Sequence, residues 1–216
     1  MPNTSRRDAP AAGPREVMLH TTFALLRKQG ACESGYRKLA KRLGGVRTYG
    51  RNQLIPLSVV LDSNGISYAI WCLGSTTEPC DRFARLLAVN FVRQVLHLMT
   101  DPRSLAALDA AERRAWGKAT DKEIMTTRVA ASDAARGSGR YSAEAVAAWA
   151  AVATCTLGDA SKAARIAASC AAWAAANAAA RAAAKDAAWA AAWVAARDAA
   201  RDAQADILRE MLGNER

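Results

Sequence analysis

The chain has 216 residues, 51% of them apolar, and a formal net charge of +10. That is enough chain and enough apolar content for one sizeable core, which excludes a wholly disordered protein. Uncharged runs such as Ile166 to Ala180, 15 residues with Asn177 among them, are too short to span a bilayer, which excludes a membrane helix.

Residues 1–14, with three prolines, Gly13 and no apolar period, read as a disordered lead. Their polarity gives no sign of a signal peptide. A basic helical region is expected over 15–136. Arg15 to Gln29 reads as its first helix, with Val17, Met18, Leu25 and Leu26 apolar and Gly30 as the stop. Cys32 to Leu43 reads as the second, ended by Gly44-Gly45, and Val46 to Asn52 as a basic loop. Two short helices, Pro56 to Leu61 and Ile66 to Leu73, flank the turn Asp62-Ser63-Asn64-Gly65. The next helix runs from Asp81 to Met99, with Phe83, Leu87, Phe91, Val95 and Leu98 on its core side. Asp101-Pro102 opens a further helix, and Thr120-x-x-Glu123 is a capping box that opens another, to about Arg136. Residues 137–140, with Gly137-Ser138-Gly139, read as a flexible joint.

Residues 141–216 read as an alanine-rich helical region packing on what precedes it. From Ala143 to Ala205 there are 34 alanines in 63 residues, and Ala171 to Asp202 steps through AAWA, AANA, AARA, AAKD, AAWA, AAWV, AARD, AARD. Alanine is the best helix former, and neither Gly nor Pro interrupts the span between Gly158 and Gly213. The repeat therefore predicts one long helix from Gly158 to about Leu212, whose buried side switches near Arg181 to Asp186. Trp189 and Trp193 share a face with Ile207 and Met211, so they are expected as core anchors, and the six tryptophans together as the groups closing the helix contacts. The fold class expected is all-α, a multi-helix bundle with a long alanine-rich C-terminal helix. A monomer or small homo-oligomer in the cytoplasm is expected.

No stretch spells out a reaction. His20 and His97 stand in separate helices outside any metal motif, and His97 reads as a structural histidine at the edge of an apolar face. The five cysteines, 32, 72, 80, 155 and 170, form no CxxC and read as buried thiols of a reducing compartment. Asp198, Asp202 and Asp206 lie at i, i+4, i+8 and read as a solvated face beside Arg201 and Arg209. No catalytic residue, cofactor or metal is expected, and the chain reads as not an enzyme.

Charge is the informative feature. Residues 1–140 hold 22 Lys+Arg against 12 Asp+Glu, and residues 141–216 hold 8 against 8. From Arg27 to Arg51 eight bases face one acid, Glu33. On a helix Arg37, Lys38, Lys41 and Arg42 point to roughly one side. With Arg47 and Arg51 they make a candidate partner-binding patch, and Tyr49 is its candidate aromatic anchor. An acidic protein is the first partner expected, and nucleic acid the alternative.

The segments GACESGYRKL, LDSNGISYAIWCL with DRFARLLA, Trp116-Gly-Lys-Ala-Thr120, and the Ala/Trp tail closing in Gln204 to Leu212 resemble a set of alanine-rich helical proteins. These occur in bacteriophages and in bacterial toxin loci, and are labelled immunity proteins of the fifth immunity family of polymorphic toxin systems. The resemblance covers roughly Gly30 to Leu212. It implies an all-α, non-enzymatic inhibitor that binds and neutralises another protein, either as an immunity protein or as a phage anti-defence protein such as an anti-CRISPR. Inhibitors of nuclease toxins tend to be acidic, to mimic nucleic acid, and this chain is basic, so a phage-encoded inhibitor of a host defence system fits at least as well as an inhibitor of a nuclease toxin. The rival expectation is a basic nucleic-acid-binding accessory protein.

Overall fold

Alanine dictates the centre of the molecule. In the computed structural model, which describes residues 18–138, 142–156, 158–183 and 186–213, the chain is an all-α bundle, with eleven helices among the described residues. They are α1 Phe23–Lys28, α2 Glu33–Arg42, α3 Val46–Tyr49, α4 Leu57–Asn64, α5 Ile66–Cys72 and α6 Asp81–Arg93. Then come α7 Pro102–Ala115, α8 Asp121–Gly137, α9 Ala143–Thr154, α10 Ala160–Ala182 and α11 Asp186–Met211. Helix α10 lies in the middle and packs against α5, α6, α9 and α11. Its buried side chains include Ala164, Ala167, Ala171 and Ala174, which meet a core that contains Leu87, Phe91 and Val92 of α6. Methyl groups at a helix contact let two helix axes come close, near the lower end of the usual 8–10 Å. One cluster of buried side chains runs from Leu19 to Leu212 and unites the basic and alanine-rich regions.

The long alanine-rich C-terminal helix is present as α11, 26 residues, but the unbroken helix expected from Gly158 to about Leu212 is corrected to two helices. Helix α10 ends at Ala182, Ala183 leaves helical geometry (φ −89°, ψ 88°), and α11 begins at Asp186 and packs back along α10. Trp193 Nε1 donates to Asn177 Oδ1 at 3.3 Å, across a separation of 16 residues. In an unbroken helix those residues would stand about 24 Å apart along the axis. The two opposed faces of the repeat therefore come from a hairpin, in which both turn toward the same seam.

The tryptophans also differ from expectation. Trp116, Trp149, Trp173 and Trp189 are exposed, Trp189 by 47%, while Trp71 and Trp193 are half-buried. Trp189 and Trp193 are therefore not core anchors. Alanine closes the helix seams, and a tryptophan is too large for a gap of that width. On α11 the deep contacts come instead from Leu208 and Gln204, whose Nε2 donates to the Ala168 carbonyl at 2.9 Å.

The expected helix from Arg15 is replaced in part by extended chain. Residues 1–17 lie outside the described residues. His20–Thr21 (β1) pairs antiparallel with Ile55–Pro56 (β2), His20 opposite Pro56 and Thr21 opposite Ile55. Burial alternates from Met18 to Thr21, with Met18 exposed, Leu19 buried, His20 half-buried and Thr21 buried, a two-residue period that belongs to strand. Thr22 then caps α1 by accepting from Leu25 N at 3.1 Å.

Other boundaries move by a turn. Asp62, Ser63 and Asn64 close α4, so the turn is made by Gly65 alone at φ +84°, where a side chain would be strained. The helix from Asp81 stops at Arg93, and Leu96–Leu98 form a separate 3₁₀ turn. The Thr120–Glu123 capping box is present in both directions. Of the expected joint, Gly137 ends α8 and Ser138 follows it, while Gly139 and Arg140 lie outside the described residues. No helix of the described residues is long and apolar enough to cross a membrane.

Candidate functional site

The basic segment folds as α2, α3 and the loop after it, anchored from beneath. On α2 Tyr36 and Leu39 turn inward, which leaves Arg37, Lys38, Lys41 and Arg42 exposed together. Gly45, at φ +99°, turns the chain into α3 in a conformation only glycine adopts freely, and α3 presents Arg47. Arg51 is exposed as well, its carbonyl held by Ala24 N at 3.0 Å. Tyr49 is placed differently from a free anchor. Its hydroxyl donates to the Leu54 carbonyl at 2.7 Å, and its ring meets Phe23 edge-on, centroids 6.2 Å apart. It props the loop from inside.

The electrostatics of this face differ from those of the surface formed by α6, α7 and α8. Arg93, Arg103, Arg113, Arg114 and Arg136 each hold a carboxylate, from Glu112, Asp101, Asp109 with Glu123, Asp121 and Asp133 respectively. Arg209 holds Asp62 and Asp206. On the basic face, among the described residues, only Arg37 is paired, with Glu33 at 2.7 Å. Arg27 lies over the Tyr36 ring, 4.7 Å from its centroid. Lys38, Lys41, Arg42, Arg47 and Arg51 make no ion pair with any described residue.

A second feature was not anticipated. Between α5, α10 and α11 lies a cleft of about 970 Å³, with Gly30 and Cys32 at its edge beside the start of α2. Its aromatic lining is Tyr68, Trp71, Trp173 and Trp193. Tyr68 and Trp71 pack with centroids 5.3 Å apart, and the Arg197 guanidinium lies over Trp193 at 4.9 Å. Arg165 and Arg201 line it too, exposed and without an ion pair among the described residues, and no carboxylate does. Three enclosed atoms of lining residues lack a hydrogen-bond partner in the protein: the Tyr68 hydroxyl, Asn64 Oδ1 and Arg197 Nε. Burial pushes the Tyr68 phenol up, so it stays a neutral donor. Gly35 lets this ring in: a Cβ there would stand 2.3 Å from Tyr68 Cε2. The tryptophan spacing was visible in the sequence, but their meeting with three arginines depends on the α10–α11 reversal.

The remaining sequence candidates find ordinary roles. His20 Nδ1 stands 2.9 Å from Glu78 Oε1, whereas His97 is exposed in the 3₁₀ turn and is not the structural histidine expected. Asp206 pairs with Arg209, and Asp198 lies 3.6 Å from Arg197. All five cysteines are free thiols. Cys72, Cys80 and Cys155 are buried and their thiols are pushed up by burial, but Cys32, against expectation, is exposed. A hydrogen bond from the Gly35 backbone N–H, helped by the Ser34 hydroxyl, holds the Cys32 thiol below its ordinary value. No protein-family model, curated protein or solved structure matches the chain.

Proposed function

We propose that the protein works by binding rather than by catalysis, and that an acidic protein docks on the face built by Lys38, Lys41, Arg42, Arg47 and Arg51. This is the inhibitor role, of immunity or phage anti-defence type, that the sequence resemblance implies. The observation that carries it is uncompensated charge: these cations are exposed and none is paired with a carboxylate among the described residues, while Arg93, Arg103, Arg114 and Arg136 each hold one. Unpaired surface charge of one sign raises the encounter rate with a partner of the other sign and selects against like-charged ones.

The test is Lys38→Glu, Lys41→Glu and Arg42→Glu combined. Because none of the three is in an ion pair among the described residues, the variant should keep the parent's circular dichroism and melting temperature. Affinity-tagged parent and variant are compared for capture of bacterial proteins, and the parent is titrated with random duplex DNA across salt. Loss of an acidic partner by the variant is expected. Equal capture by both would refute the face as the docking surface. Tight DNA binding that falls steeply with salt, with a log–log slope near −0.9 per phosphate neutralised, would replace the protein partner with nucleic acid.

A further inference from the structure

We propose that the cleft between α5, α10 and α11 binds a small molecule that joins a flat ring to a phosphate, of the 5′-nucleotide class. The ring is taken against the tryptophans and the phosphate by Arg165, Arg197 and Arg201. This inference is independent of the basic face.

The cleft has the size of small-molecule sites, about 970 Å³ against a usual range of about 300–1,000 Å³. Its chemistry narrows the occupant from three sides. The aromatic wall favours a planar π-system, which stacks on indole without regard to ring substituents. Three guanidiniums with no carboxylate among them favour a doubly charged, multi-oxygen anion over a single carboxylate, because each guanidinium can give two parallel N–H bonds. Asp198, outside the lining, pairs with Arg197 at 3.6 Å from Nε, and that Nε remains without a hydrogen bond. The third constraint comes from the enclosed atoms: the Tyr68 hydroxyl and Arg197 Nε donate, and Asn64 Oδ1 accepts. A nucleobase edge offers both donors and acceptors, whereas a phenyl or indole ligand does not. Asn64 is held for this by its own Nδ2, which donates to the Gly35 carbonyl at 2.8 Å.

Free nucleotides and the ends of single-stranded nucleic acid share this chemistry, and the experiment separates them. The full chain is titrated with AMP, GMP, CMP and UMP by calorimetry and by tryptophan fluorescence. Adenosine, inorganic phosphate and a ten-nucleotide oligothymidylate without a terminal phosphate are run in parallel. At least one mononucleotide should bind saturably, one per chain. Adenosine and phosphate, each lacking half of the recognised group, should bind at least about tenfold more weakly. Arg165→Glu with Arg201→Glu removes exposed, unpaired side chains, so it should keep the parent's melting temperature and lose at least about tenfold in nucleotide affinity. Trp173→Leu, also at an exposed position, provides a second variant with the same expected loss. No saturable binding of any mononucleotide at millimolar concentration would overturn the proposal, as would full affinity in both variants. Loss on reversing Lys38, Lys41 and Arg42 instead would move the site to the basic face. Oligothymidylate binding that mononucleotides fail to displace would replace the small molecule with a strand.

Discussion

Gly35→Ala puts the packing beneath the cleft to a test in which two effects oppose. Gly35 lies in the first turn of α2, and alanine in a helix is favoured over glycine by at most about 1 kcal/mol. A methyl group there would stand 2.3 Å from Tyr68 Cε2, 2.9 Å from Cδ2 and 3.0 Å from Cζ. The ring cannot give way freely, because Trp71 packs against it with centroids 5.3 Å apart. Overpacking of this kind costs about 1–3 kcal/mol. The clash should win, leaving a net loss of about 1 kcal/mol and a melting temperature lower by about 2–4 °C for a chain of this length. Tyr68→Ala removes the obstacle, so in that background Gly35→Ala should stabilise. Urea denaturation of the parent, both single variants and the double variant gives the coupling, expected at about 1–3 kcal/mol. If Gly35→Ala stabilises the parent as much as it stabilises the Tyr68→Ala chain, the close approach is absent and the packing account of the cleft fails.

The remaining predictions follow from burial and capping. Leu208→Ala empties a fully buried site on α11 and should cost about 2–5 kcal/mol, while Trp189→Ala, at 47% exposure, should cost less than about 2 kcal/mol. A reversed order in denaturant melts would restore Trp189 as an anchor. Iodoacetamide at limiting concentration should label Cys32 first, with a rate that rises at lower pH than for an ordinary thiol, as peptide mapping would show. Equal labelling of Cys72 would contradict the burial pattern. The Glu123 carboxyl is held below its usual range, first by the Thr120 backbone N–H and then by the Thr120 hydroxyl and Arg113. A depressed carboxyl contributes stability above its ordinary pKa of about 4.3 and loses it as pH falls through the folded value. Glu123→Gln should therefore differ from the parent above that pH and converge with it in acid. A melting-temperature difference independent of pH would show that the charge plays no part in the cap.

Much of this molecule was legible locally. Alanine propensity, the Asp101-Pro102 start and the Thr120–Glu123 box each act within a turn or two of chain, and the helices they announce are present. The exposed cations of α2 could be read the same way, since helical spacing alone puts them on one side. Tertiary structure alone decided the reversal after Ala182 and everything that depends on it. No breaker residue marks that break, and helix propensity would carry the chain straight on. Its compensation is distant: α11 folding back buries Leu208, sets Gln204 on the Ala168 carbonyl and joins Trp193 to Asn177. Packing energies between residues that far apart have no signature in neighbouring letters. For the same reason Trp193 reads as core in the sequence and lines a cleft with Trp71 and Trp173 in the fold.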